Sequence, residues 1–142
     1  MNQPARIEKR EEPAPGPAPL RFRSITQIIS DLSKEIPQRH LKSRIQGGKT
    51  LSYISWDTAA RFLDHYACGW SCEIRNVSQI GERCVVVVRI TIPCLEGLVW
   101  REASGTEDEE LRGYGDPSSN AEAMALKRAA AKFGLGLYLY QK

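Results

Sequence analysis

Three cations lie close together near the end of the sequence, in the segment "ALKRAAAK" at 125–132. At about 100° per helical residue, the side chains of Lys127, Arg128 and Lys132 fall within an arc of roughly 140°. Such a face suits contacts with the phosphates of a nucleic acid, but it equally suits the solvation of an exposed helix. The charges alone give the two roles equal weight.

A second group of interest is Gly47-Gly48-Lys49-Thr50, the last letters of a phosphate-binding nucleotide loop. That loop also needs an earlier glycine and a buried apolar strand in front of it. The earlier glycine falls on Ser43, and the preceding segment "RHLKSR" is too charged for a buried strand. The pattern therefore argues against nucleotide binding and predicts a tight glycine joint between a basic segment and a short strand.

Acidic and sulfur side chains offer the remaining reactive groups. The run Glu107 to Glu110 is typical of a solvated loop, because a metal-dependent nuclease needs acids that converge from several elements. A nuclease therefore stays open only as the lesser alternative. The spacing of the four cysteines matches no zinc site, and buried reduced thiols are predicted at Cys68, Cys72, Cys84 and Cys94. The sequence predicts no enzyme, no metal and no cofactor.

Charge is unevenly distributed, although the net charge is only +3. Residues 21–49 hold seven bases against two acids, residues 50–110 hold five against ten, and residues 111–142 hold five against two. Basic ends around an acidic middle suit a polyanion that binds one part of the surface.

Length and composition set the protein class. A chain of 142 residues, 42% of them hydrophobic, is long enough for one domain with a proper core. No apolar run approaches the roughly 18 residues that span a bilayer, so no membrane partner is expected. The N-terminus mixes acids with bases and lacks the apolar region of a signal peptide, which predicts a cytoplasmic location.

The elements that must position these residues begin after a proline-rich segment. Residues 1–23 are predicted to be a disordered tail, and residues 24–142 to be one domain. Apolar spacing predicts a helix over 24–36 with Ser24 as its N-cap. A second helix is predicted over 55–67, with Trp56 on its apolar stripe and therefore in the core.

Three strands and a last helix follow. The segments "WSCEIRNV", "CVVVVRITI" and "LVWREASG" are joined by short turns and predict an antiparallel meander, the first strand being half-buried. Ser119 and Glu122 form a capping-box pattern at the start of the last helix, which Gly134 ends. Its many alanines allow close approach to a sheet or to a neighbouring subunit.

Three segments together, "SRIQGGKTLSYISW", "GYGDP" and "AMALKRAAAKFGLGLYLY", resemble in order and separation the single-strand annealing proteins of the Rad fifty-two type. The resemblance covers residues from about 24 to 140. It implies an α+β fold with a β-β-β-α core, in which an antiparallel meander packs on a long C-terminal helix and helices precede it. It also implies assembly into a closed ring, with single-stranded DNA in a basic outer groove.

The resemblance also implies which residues bind DNA. Lys127 and Arg128 match the paired bases of the family's groove. A further family arginine falls on Ala131, with Lys132 as its substitute, and another falls near Thr58, where the nearest base is Arg61. The predicted DNA-binding residues are Lys127, Arg128, Lys132, Arg61, Lys49 and Arg44.

The function implied by the resemblance is single-strand binding and annealing in homologous recombination and repair. The family's outer-site lysines have no clear counterpart here, so tight binding is better supported than efficient annealing. The expected partners are single-stranded DNA, further copies of this chain, and recombination or single-strand-binding proteins. A protein-binding oligomeric adaptor that contacts no DNA is the other alternative.

Overall fold

The computed structural model describes residues 22–108 and 117–141. Its helices are α1 (Ile25–Leu32), α2 (Trp56–Tyr66) and α3 (Pro117–Ala131), and its strands are β1 (Lys42–Gln46), β2 (Lys49–Tyr53), β3 (Ser71–Ile80), β4 (Arg83–Cys94) and β5 (Gly97–Asp108). Short 3-10 turns lie at Gln38–His40 and Leu137–Tyr140. The α+β class with a three-stranded antiparallel sheet is confirmed. The ring and the domain boundaries stay predictions, and the predicted tail lies outside the described residues as far as residue 21.

The three-stranded sheet has the order β3-β4-β5, with antiparallel neighbours as predicted. In β4 the side chains alternate strictly, and one face is buried at Val86, Val88, Ile90 and Ile92. Helix α3 packs across this face, over β4 and β5. All ten residues of β3 are exposed, so the predicted half-burial of that strand is wrong. Helix α3 packs on β4 and β5 and does not cover β3.

The contact between α3 and β5 is unusually close at Gly105. A Cβ atom placed there would lie 2.0 Å from the Ala121 carbonyl oxygen and 2.5 Å from the Ala125 nitrogen. Both alanines are fully buried, so the small side chains of the helix serve its approach to the sheet. Phe133, just after the helix, is also fully buried and fills the core beyond them.

The first two helices form where they were predicted, apart from the end of α1 and the exposure of Trp56. The Ser24 hydroxyl accepts a hydrogen bond from the Gln27 N–H at 3.1 Å, which confirms the N-cap. Helix α1 ends at Leu32 rather than Ile36, and the Ile36 N–H donates to the Tyr138 hydroxyl at 3.0 Å. Trp56 is 55% exposed, so its predicted core position is wrong. It begins α2 on the solvent side.

Strands β1 and β2 form a separate hairpin around the glycine pair. Gly47 and Gly48 both have positive φ, 60° and 78°, and Gln46 pairs with Lys49 across them. A two-residue turn with two positive φ angles matches the right-handed twist of hairpin strands, and glycine adopts it without strain. The predicted tight joint is therefore a hairpin turn.

The cysteines are free and divide into two pairs. Cys84 and Cys94 are buried, as predicted, whereas Cys68 and Cys72 are exposed and the prediction of burial is wrong for them. Cys72 belongs to the uncovered strand β3, which explains its exposure. Within residues 22–108 and 117–141, no helix is both long and apolar enough to cross a membrane.

Candidate nucleic-acid interface

A groove of about 440 Å³ lies between the β1–β2 hairpin, α3 and the C-terminal turn. The hairpin contributes Arg44 and Tyr53, α3 contributes Lys127 and Arg128, and the C-terminal turn contributes Tyr140. These five side chains come from segments nearly a hundred residues apart at the extremes. The fold thus brings together three of the six predicted DNA-binding residues, namely Arg44, Lys127 and Arg128.

The aromatic ring of Tyr53 is the centre of the charged part of the groove. The Arg44 guanidinium carbon lies 5.2 Å from the centroid of this ring, and the Lys127 ammonium nitrogen lies 5.3 Å from it. Both distances are within the range of cation–π attraction. The hairpin register produces the arrangement, because Arg44 pairs with Leu51 and Tyr53 lies two residues further along the same face.

Partial burial makes Lys127 an unusual lysine. Burial lowers the pKa of its ammonium group, and the nearby positive charge of Arg44 lowers the pKa further. Both effects disfavour the charged form of the lysine. An anion placed between Arg44 and Lys127 would relieve the repulsion, so the site is electrostatically suited to a phosphate.

Tyr140 is the second aromatic side chain of the groove. Burial raises the pKa of its hydroxyl, and the positive charges of Arg128 and Arg44 partly offset that effect. Both arginines are thus close enough to act on the same phenol. The groove therefore places two tyrosines among three cations.

Two α3-side cations also contact the outer edge of β5. The Arg128 guanidinium donates to the Ser104 carbonyl at 3.2 Å, and the Lys132 ammonium donates to the Glu102 carbonyl at 2.6 Å. Strand β5 lies at the edge of the sheet, and these two carbonyls accept from outside the ladder. The hydrogen bonds fix both cationic side chains beside the groove.

A second cleft, of about 340 Å³, adjoins the groove and contains Lys132. Its lining includes Ser104 of β5 and Leu137 of the C-terminal turn. Arg128 and Tyr140 line both the groove and this cleft. These two side chains therefore form a ridge between the two depressions.

The remaining two predicted residues lie outside both depressions. Lys49 is exposed next to the hairpin turn, where it pairs with Gln46. Arg61 is exposed on α2, where its charge helps to lower the pKa of Asp57 after the larger effect of a hydrogen bond from Ser55. Their roles in DNA binding stay predictions.

Three groove residues were missed from the sequence, namely Tyr53, Tyr140 and Glu107. The glycine-pair turn carried a usable signal for Tyr53, because a two-residue turn fixes the register that places it beside Arg44. Glu107 was expected in a solvated loop, but it lies in β5 and contributes an acidic side chain to the lining of the groove. Glu109 and Glu110 lie outside the described residues. Among the described residues, no cluster of histidine, cysteine and acidic side chains could hold a metal ion.

Comparison with known proteins decides the family. Residues 24–142 match the model of the Rad52/22 family of double-strand break repair proteins. The chain belongs to this family. The resemblance read from the three sequence segments is confirmed, and membership in the Rad52/22 family gives the chain a role in DNA repair and recombination.

Two named relatives from Arabidopsis thaliana support the assignment. The chain is 37% identical over 122 residues to DNA repair RAD52-like protein 1, mitochondrial. The matched region covers 84% of this chain and 69% of that protein. It is 40% identical over 125 residues to DNA repair RAD52-like protein 2, chloroplastic. This matched region covers 84% of this chain and 62% of that protein. The chain thus spans about two thirds of each relative's length.

The names of these relatives also correct one prediction. Both proteins are named for organelles, so the predicted cytoplasmic location is wrong. The prediction rested on the charge pattern of the first residues, which is weak evidence about location. An N-terminal charge pattern describes one route of targeting and says nothing about the chemistry of the folded domain.

Proposed function

We propose that this Rad52/22 family protein binds single-stranded DNA in the groove, as a homo-oligomeric ring, and anneals complementary strands during recombination and repair. The observation that carries the proposal is the convergence of Arg44 and Lys127 on the Tyr53 ring from two distant segments, with Arg128 lining the same groove. Cations that follow a backbone, interleaved with aromatic rings, are the usual means of binding a single strand.

The chemistry of the groove favours a single strand over a duplex. Phosphates can meet the cations in either form, but only unpaired bases are free to stack on protein aromatic rings. Tyr53 and Tyr140 supply two such rings beside the cations. No base edge needs to be read, so binding would depend little on sequence.

Arg128 is well prepared for a phosphate contact. A guanidinium carries five N–H donors in a fixed plane. The contact with the Ser104 carbonyl uses one nitrogen of Arg128 and leaves other donors for a phosphate. A side chain that is already oriented loses less conformational entropy when it binds.

The exposed strand β3 supports the oligomeric part of the proposal. Its apolar side chains Ile74, Val77 and Ile80 are 52%, 56% and 66% exposed. Within the part of the chain that the structure describes, β3 is an edge strand. Neither its apolar side chains nor its open edge is covered by another described element. A neighbouring copy would cover both and remove the aggregation risk of an open edge.

The proposal is tested by binding a labelled oligothymidine at several salt concentrations. The variant with both Lys127→Ala and Arg128→Ala should bind more weakly, and its slope of log K against log salt should flatten by roughly 0.7 per lost phosphate contact. Alanine is the best helix former, so α3 should persist. Light scattering should give the variant the same mass as the unaltered protein.

The matched control is Lys34→Ala, which removes one positive charge from an exposed position after α1, outside the groove and the second cleft. We expect its salt slope to stay that of the unaltered protein. Equal flattening per charge in the control and in the double variant would mean that net charge, rather than the groove, holds the DNA. An unaltered protein that binds no single strand at low salt would instead favour the adaptor.

We also infer an organellar site of action. Both named relatives are organellar proteins, one mitochondrial and one chloroplastic. Immunodetection of the protein in purified organelle fractions tests the inference, and recovery in the soluble cytoplasmic fraction alone would contradict it.

A further inference from the structure

Two tyrosines near the C-terminus have different surroundings. The Tyr138 hydroxyl accepts a hydrogen bond from the Ile36 N–H at 3.0 Å, so this side chain ties the end of α1 to the C-terminal turn. Tyr140 is 53% exposed, and its hydroxyl has no hydrogen-bond partner in the described part of the chain. Tyr138 therefore stabilises the fold through this hydrogen bond, whereas the Tyr140 hydroxyl makes no such contact with any described residue.

The position of Tyr140 suggests a role for it. With Arg128 it forms the ridge between the groove and the second cleft, so its ring borders both depressions. Arg44 and Lys127 lie on the groove side of this ridge, and Lys132 lies on the other. A polyanion that contacts cations on both sides must cross the ridge.

We propose that Tyr140 stacks on a nucleobase of the bound single strand where the strand crosses from the groove into the second cleft. The proposal rests on the proposed function and adds a specific role for one residue. Every base has a π face, so an exposed tyrosine ring accepts any of the four bases. Arg128 on the same ridge holds the phosphate next to the stacked base.

The strand itself separates this role from a phosphate contact. An oligothymidine and an abasic oligonucleotide of equal length carry the same phosphates, but only the first has bases. The unaltered protein should bind the oligothymidine more tightly. Loss of one stacked base costs on the order of five- to 150-fold in Kd. Tyr140→Ala should therefore weaken oligothymidine binding by at least about fivefold and leave abasic binding nearly unchanged.

Three further variants define the cause. Tyr140→Phe keeps the ring and should keep the preference for bases. Tyr140→Leu keeps apolar bulk without an aromatic ring and should lose as much of the preference as the alanine variant. Tyr138→Phe is the matched control, since it removes a hydroxyl of the same turn that serves the fold. It should lower stability and leave the preference intact.

The outcomes are distinct. The inference is overturned if Tyr140→Ala weakens both oligonucleotides equally, if it weakens neither, or if Tyr140→Leu retains the preference. In each of these cases the unaltered protein still binds single strands, and the proposed function stands. If the unaltered protein binds neither oligonucleotide, the proposed function fails and the stacking role fails with it.

Discussion

Replacing Gly105 by alanine tests how the sheet positions the cationic helix. The added Cβ would lie 2.0 Å from the Ala121 carbonyl oxygen and 2.5 Å from the Ala125 nitrogen. Real contacts of a Cβ essentially never fall below 3.0 Å, so α3 must retreat by about 1.0 Å at this point. Both clashing atoms are main chain, so no rotamer change can relieve the strain.

The expected cost follows from the retreat. A radial gap of 0.5–1 Å forfeits about a quarter to a half of each dispersion contact. Overpacking of a core typically costs about 1–3 kcal/mol, and a main-chain clash belongs at the upper end. For a chain of this size, about 3 kcal/mol corresponds to a loss of roughly 10 °C in Tm.

Thermal unfolding followed by circular dichroism measures the effect, at one protein concentration for all variants because assembly contributes to Tm. Ser104→Ala is the control, since Ser104 is exposed and its main-chain carbonyl remains for Arg128. It should unfold within about 2 °C of the unaltered protein, as expected for a change of up to 0.5 kcal/mol.

A second variant tests the cause of the strain. The Met124 Cβ also lies close to the added atom, at 3.0 Å. Combining Gly105→Ala with Met124→Ala should give no recovery, since alanine keeps the Cβ and the main-chain clashes remain. An unchanged Tm in Gly105→Ala, or full recovery in the combined variant, would refute this account of the packing.

Two further predictions concern ionisable groups. In the free protein, burial and the charge of Arg44 lower the pKa of Lys127. A bound phosphate favours the charged form, so binding takes up a proton at this side chain. Affinity should therefore fall as pH rises through the range below the ordinary lysine pKa. Kd measured against pH should show this fall, and Lys127→Arg, which stays charged, should lack it; identical profiles would contradict the prediction. A thiol reagent should modify Cys68 first in the native protein and the two buried cysteines only after unfolding. Cys72 should react more slowly than Cys68, since partial desolvation and two nearby glutamates raise its pKa and a neighbouring copy on β3 would shield it. Simultaneous reaction of all four thiols would refute the assignment.

The features that could be predicted from the sequence are those set by neighbouring residues. The strand in the segment "CVVVVRITI" and the serine cap of α1 were predicted from neighbouring residues, and both were confirmed. The errors at Trp56 and Cys72 have a different origin. Whether an apolar side chain is covered depends on where another element lies, and α3 packs on β4 and β5 and leaves β3 exposed. Periodicity identifies a face but does not identify its neighbour.

The groove shows the same division. Charge and spacing made Lys127 and Arg128 candidates, the family resemblance assigned them to DNA binding, and the structure places them in one groove. Tyr140 was not selected, because it follows α3 by a turn whose path depends on Gly134 and Gly136, both with positive φ. Its return to the groove is a tertiary event, and no local pattern predicted it.

The hydrogen bonds from α3 to β5 have a consequence for symmetry. Outward carbonyls of β5 at 102 and 104 are already occupied by the ammonium of Lys132 and the guanidinium of Arg128. Two copies that met through β3 alone would form a two-fold pair, which closes at two and cannot grow. Arg128 and Lys132 cover part of the β5 edge, and this limits the pairing of β5 with a strand of another copy. A ring contact through β3 must therefore be made with a surface of the next copy other than its own β3.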